Sequence, residues 1–102
     1  MKSDSLSEET MATRAVWKYQ LCPAGYGRTP VQMPQGAHIV HFDIQGEENT
    51  PTLWAVVDRE APMRTRYFEV YGTGWDLPQG LAHVGSVQHE HYVWHAFEVL
   101  HV

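Results

Sequence analysis

Cysteine is almost missing from this chain of 102 residues. Cys22 stands alone, which excludes an intramolecular disulfide and any cysteine-based zinc site built by one chain. A reducing, cytoplasmic setting is the expectation. Positive charge is scarce as well: seven Lys and Arg against twelve Asp and Glu leave a net charge of -5, the wrong sign for gripping a phosphate backbone through a general basic field. Direct nucleic-acid binding is therefore not expected. The charge could mimic DNA, but its size is also ordinary for solubility. No apolar run is long enough to span a membrane, and Met1 to Thr13 offers one Lys followed by Ser, Asp and Glu where a signal peptide would need an apolar stretch. Internal repeats are lacking, and so is the 3.6-residue apolar stripe of a long amphipathic helix. One short helix or turn has room at Arg59 to Met63.

What is present is aromatic and alternating. Four Trp, five Tyr and three Phe supply large buried area, so one core suffices without a disulfide. Residues 1–13, with three acids and four Ser or Thr in the first ten positions, cannot offset their ordering entropy by burial and are expected to form a disordered arm. From residue 14 to 102 a single β domain is expected. Pro51 to Asp58 is its centre: Leu53, Ala55 and Val57 fall on one parity and Trp54 and Val56 on the other, the pattern of a strand covered on both faces. Ala15 to Leu21 alternates, with Ala15, Trp17, Tyr19 and Leu21 inward. Arg28 to Met33 makes a short return strand whose Pro30 cannot donate to a ladder, which places it at an edge or on a bulge. In His38 to Gln45 the even positions His38, Val40, Phe42 and Ile44 point inward. Gly46 to Pro51 is a polar hairpin loop that leads into the central strand and pairs the two antiparallel. Thr65 to Tyr71, Leu81 to Gln88 and Tyr92 to Leu100 complete about seven short strands, which argues for an all-β antiparallel sandwich or small barrel.

Several constellations could carry chemistry. His89, His91, His95 and His101 share a parity, and imidazoles two apart on a strand can share a metal ion. Ala96 stands where the cupin pattern places its Glu, and His-Glu-His is not the His-Glu-x-x-His of the zincins, so solvated or hydrogen-bonded histidines are the plainer reading. Cys22 before Pro23 reads as a small hydrophobe in preference to a nucleophile. Nothing in the sequence brings any two of Asp43, Asp58, Glu69 and Glu98 together as an acid and base pair. Gly72-Thr73-Gly74 lacks the helix that a phosphate loop requires and reads as a tight turn, with Trp75 and Leu77 capping one end of the core. Neither a catalytic residue, a metal ligand nor a cofactor is assigned.

With these residues laid out, Val16-Trp17-Lys18-Tyr19, Met33 to Val40, Leu53 to Asp58, Tyr71 to Gly74 and Val93 to Glu98 together resemble an uncharacterised family of small proteins found mainly in bacteriophages and prophages. The resemblance implies a viral or prophage origin and the host cytoplasm as the working compartment, and it names no reaction. It also implies the habit of small phage accessory proteins, which bind and block host machinery such as CRISPR effectors or nucleases. A non-enzymatic binding protein with a host protein as partner is the expectation, with a homodimer as a further option. Its patch is expected at Tyr71, Trp75 and the hairpin bearing His89, His91 and His95, with Asp43, Glu47 and Glu48 as an acidic rim. Two rivals are a nucleotide or small-molecule sponge with a pocket lined by Trp75, Tyr71 and His95, and a metal-dependent enzyme in which His89, His91 and His95 converge.

Overall fold

The computed structural model describes residues 12–101. The expected arm, residues 1–13, lies outside the described residues except for Ala12 and Thr13, whose carbonyls accept hydrogen bonds from the Arg59 side chain and the Arg59 backbone N–H. The described chain is all-β: β1 (Arg14–Gln20), β2 (Thr29–Pro34), β3 (His38–Gln45), β4 (Thr50–Asp58), β5 (Met63–Gly72), β6 (Leu81–His89) and β7 (Tyr92–Val99). They form two antiparallel sheets, β1-β4-β3 and β2-β5-β7-β6, that face each other without closing into a barrel. The fold is therefore a sandwich.

Each sheet turns one face inward, and the core is the set of side chains between them. Leu21, Phe42, Leu53, Ala55 and Val57 from the three-stranded sheet meet Val31, Met33, Phe68, Val70 and Ala96 from the four-stranded one, all nearly or fully buried. Full burial of a Leu or Phe side chain contributes about 1.5–3 kcal/mol, so this layer is the main source of stability. β4 is central, but only in its own sheet: Pro51, Leu53, Ala55 and Val57 of its odd parity are buried, and of its even positions only Thr52 is. Trp54 and Val56 are half-exposed because a sandwich leaves the outer face of each sheet to water; Trp54 is covered there by His41, with ring centroids 5.1 Å apart. The expectation of burial on both faces is corrected accordingly.

The alternation expected for β3 also fails, and at an identifiable residue. His38 pairs with Val56 and Ile39 with Ala55, then His41 pairs with Trp54, so Val40 is the extra residue of a β-bulge. A bulge inserts one position and reverses parity. Ile39 packs on the core while His38 is exposed and Val40 is 50% exposed; only Phe42 and Ile44 keep their expected inward side. Trp17 likewise stands on the inward parity of β1 but at the margin, 36% exposed. β2 does not return along β1: it crosses to the other sheet and pairs with β5 at that sheet's edge, where the missing donor of Pro30 is harmless. Arg59 to Pro62 is a turn, closed by Asp58, and not a helix.

Chain direction decides which loops meet. The β1–β2 loop, the β3–β4 hairpin, the end of β5 and the β6–β7 turn all fall at one end of the sandwich. The β2–β3 and β4–β5 turns fall at the other. β5 and β6 run parallel on either side of β7, so residues 73–80 must travel from the first end back to the second. This strap passes outside the four-stranded sheet, where Pro78 to Leu81 border a cleft with Arg28, Glu69 and Val99. On the flank where β3 and β6 approach, Gly85 lets the strands close: a Cβ there would lie 2.8 Å from Cβ of Phe42.

Candidate binding cleft at the loop end

At the end where the β1–β2, β3–β4 and β6–β7 connections meet, the two sheets part over a cleft of about 300 Å³. Its walls are Pro23, Ala24, Ile44, Pro51, Val70 and Trp94, and its rim carries Asn49, His89, Glu90 and Tyr92. The rings of Tyr92 and Trp94 stack with centroids 5.4 Å apart, because both sit on the inward parity of β7 at its first turn out of the hairpin. Tyr92 is 61% exposed, so its ring extends the apolar wall toward solvent. Trp75 meets Trp94 edge-on at 5.9 Å and lies over Gly72, whose absent Cβ would be 2.9 Å from the indole. Glycine at 72 is what admits the ring. Leu77, expected to share this capping role, is exposed.

Two details mark this end as strained and unsatisfied. Register pairs His89 with Tyr92, leaving Glu90 and His91 as a two-residue hairpin turn in which Glu90 takes φ 57. That left-handed conformation is one that glycine would occupy at lower cost. His89 Nε2 is buried and has no hydrogen-bond partner among the described residues; the nearest carboxylate oxygen, on Glu90, stands 3.7 Å away. An unpaired buried polar atom costs about 1–3 kcal/mol, so a group that can bond to it gains by arriving.

The expected histidine row does not assemble. His89 belongs to β6 and faces the cleft, His91 is exposed in the turn, and His95 on β7 points to the opposite, outer face of the four-stranded sheet. The turn at residues 90–91 interrupts parity counting, which is why one face became two. Among the described residues no three His, Cys, Asp or Glu side chains converge as a metal site. Tyr71 and Trp75 do come together, along a shallow cleft with Gly25, Gly27, Glu69 and Val70, and His95 is the cross-strand neighbour of Tyr71 on β7. Glu47 and Glu48 border a separate groove with Lys18, Gln20 and Gln45, and Asp43 sits 3.5 Å from His41. They do not rim the aromatic cleft. The four carboxylates considered as acid and base go separate ways: Glu98 to Arg66, Glu69 to Arg28 and Tyr71, Asp43 to His41, and Asp58 to its own turn. Backbone hydrogen bonding from Glu60 is the main reason that the Asp58 carboxyl is held below the usual range.

One polar network escaped sequence reasoning. Ser86 Oγ lies 2.7 Å from His83 Nε2 and 2.7 Å from His95 Nδ1, and His95 Nε2 lies 2.8 Å from Thr73 Oγ1. A serine between two imidazoles has the parts of a nucleophile and base. Here Ser86 and His83 are exposed on an open sheet face, where developing oxyanion charge would be met by bulk water instead of fixed donors in a dry site. The group is better described as a self-satisfied surface network. Ser86 faces His95 as its cross-strand partner, and His83 and Ser86, opposite in parity, share the outer face only because of the register shift between His83 and Gly85, which no local pattern announced.

Fold and cleft define a class: a two-sheet antiparallel sandwich with an aromatic cleft at its loop end. The chain belongs to the family described as a domain of unknown function, DUF7352, whose model matches residues 12–101. No curated protein and no solved structure matches it.

Proposed function

We propose that this chain is a phage- or prophage-type accessory protein that binds a host protein, a component of a defence system, by direct contact through the loop end of the sandwich. The observation that supports this reading is the aromatic cleft itself, with Tyr92 and Trp75 exposed around a partly buried Trp94. Trp and Tyr set in a partly desolvated pocket are the side chains that concentrate interface energy. Two of the three loops around it are the short β3–β4 and β6–β7 hairpins, so docking costs little ordering entropy there. A host nuclease or CRISPR effector has the size to cover such an end.

The test is pairwise binding of the purified full chain to candidate defence proteins, with Trp75→Ala, Tyr92→Ala and, as a control on the outer face, His83→Ala. Each cleft substitution is expected to weaken binding by about 30-fold or more, which corresponds to the 2 kcal/mol of a hot spot, while His83→Ala changes little. Binding untouched by both aromatic substitutions, in chains that keep their melting temperature, refutes the reading. The unpartnered His89 Nε2 in a cleft of about 300 Å³ favours a second reading, capture of a small ligand such as a nucleotide. A thermal shift with a nucleotide panel, abolished by Tyr92→Ala and obtained without any protein partner, would decide for it.

A further inference from the structure

The two sheets present four edge strands, and three of them are guarded. β2 carries Pro30 and Pro34. β3 and β6 each carry a bulge and run beside each other, closely enough for Gly85 to touch Phe42. Bulges, prolines and mutual cover are the usual means by which an edge is withheld from another chain. Among the described residues β1 has none of these three, and its only guards are the exposed charges of Arg14 and Lys18. It runs seven residues, Arg-Ala-Val-Trp-Lys-Tyr-Gln, without Pro, Gly or a register shift, and exposes Val16 at 59% and Trp17 at 36%.

The hydrogen bonds fix what this edge offers. Leu21 N–H donates to Pro51 O at 2.8 Å and Arg59 N–H donates to Thr13 O at 2.7 Å, so in a register that pairs Gln20 with Thr52 and Arg14 with Asp58 the odd residues of β1 bond to β4. In an antiparallel ladder alternate residues point their N–H and C=O the other way. The outward groups are therefore those of Arg14, Val16, Lys18 and Gln20, and among the described residues they have no strand beside them.

We propose that β1 is a self-association edge: a second copy of this chain adds its own β1 antiparallel, about a twofold axis through Trp17, to make one continuous six-stranded sheet across the dimer. The register follows from charge and length. An axis through Lys18 would oppose the two Lys18 side chains, and an axis through Val16 would oppose Arg14 and the partner's Lys18. Like charges directly opposite are destabilising. Only the axis through Trp17 uses the full strand and avoids both, pairing Val16 with the partner's Lys18 and Arg14 with the partner's Gln20. Four residue pairs, each exchanging two bonds, give about eight backbone hydrogen bonds. Trp17 then faces the partner's Trp17 in a non-bonded pair, where Cα atoms approach to about 4.5 Å and aromatic pairs contribute most. Because the contact is isologous and the other edges are guarded, association stops at two copies.

Light scattering after gel filtration, run on the full chain across about 10–200 μM, reads the result directly. The wild type is expected at twice the chain mass. Val16→Pro removes an outward N–H without touching the β4 ladder and is expected to be monomeric with an unchanged melt of secondary structure. Val16→Lys, which opposes Lys18 of the partner twice, should weaken the dimer at least about tenfold, whereas Val16→Glu, set against the same lysines, should hold it at least as tightly as wild type. A monomeric wild type at the highest concentration overturns the proposal. So does a folded Val16→Pro that remains dimeric, or equal dissociation by the Lys and Glu variants.

Discussion

The two ends of this sandwich solve the same problem differently. At the far end, Arg66 donates through Nε and Nη2 to both oxygens of Glu98 at 2.8 Å each and through Nη1 to the Ala37 carbonyl at 2.7 Å, with its guanidinium 5.7 Å from the Phe68 ring centre. Two charges and a turn carbonyl satisfy one another, and the depression they border, about 240 Å³, has its charged lining already paired. At the loop end the sheets part over apolar and aromatic side chains, Asn49 and Glu90 hold left-handed backbone in their hairpin turns, and His89 Nε2 has no hydrogen-bond partner among the described residues. Polar groups that meet each other hold a fold together, whereas exposed aromatics beside an unpaired donor or acceptor leave interaction energy for another molecule.

The contrast is broken most directly at the far end. Glu98→Ala leaves the half-buried guanidinium of Arg66 without its bidentate partner, and is expected to cost about 2–3 kcal/mol in urea unfolding, at the low end for a broken buried pair because both side chains keep some exposure. A loss below about 0.5 kcal/mol would show that solvent replaces the carboxylate and that the clamp is ornamental. Gly72→Ala probes the loop end. Its Cβ would stand 2.9 Å from the Trp75 indole and 3.1 Å from the Trp94 ring, but Trp75 is 45% exposed and free to swing out. Stability should fall by only about 1 kcal/mol, with greater acrylamide quenching of tryptophan fluorescence and loss of any binding that uses the cleft. Unchanged quenching would mean that the ring is not held by the absence of a side chain at 72.

How far the sequence could be read differs in the same way between regions. Strand number, the antiparallel β3–β4 hairpin and the edge position of β2 were all legible, since alternation, a polar loop and Pro30 are local signals. Val40 was not, because a bulge adds one residue without changing composition, and the strand on either side still alternates. The plainer reading of the histidines, hairpin residues and a hydrogen-bonded His95, was legible; the shared face failed for a related reason, because parity was carried through Glu90 and His91, where the chain reverses. The cleft was half legible. The hairpin that carries His89, Tyr92 and Trp94 was expected in the patch, but Ala24, Ile44, Pro51 and Val70 meet only once the two sheets face each other, no local pattern records that pairing, and Tyr71 and Trp75 line a neighbouring, shallower cleft. Surplus aromatics were noticed in the sequence; which of them line a cleft and which, like Trp17, mark an edge needed strand order.

The smallest effect separates the two glutamates that the ends share out. Glu98 is held by a two-pronged guanidinium, whereas Glu69 is shared between the Arg28 guanidinium, 3.3 Å away and nearly half exposed, and the hydroxyl of Tyr71, which donates to it. Burial, then the hydrogen bond to Glu69 and the charge of Glu69, push the Tyr71 phenol up to about 12. The folded chain therefore keeps this proton more tightly than the unfolded chain, whose tyrosines titrate near 10. Linkage gives the sign: the contribution is complete below pH about 10 and is lost as pH climbs from there toward 12. Tyr71→Phe should cost under about 1 kcal/mol at neutral pH, the worth of one hydrogen bond, yet flatten the alkaline decline of the urea midpoint between pH about 9 and 11.5. Part of the decline will persist, because burial also raises the Tyr19 phenol. Parallel declines in wild type and Tyr71→Phe would show that Glu69 takes its proton donor from water, and that the outer side of the loop end is as loosely held as its cleft.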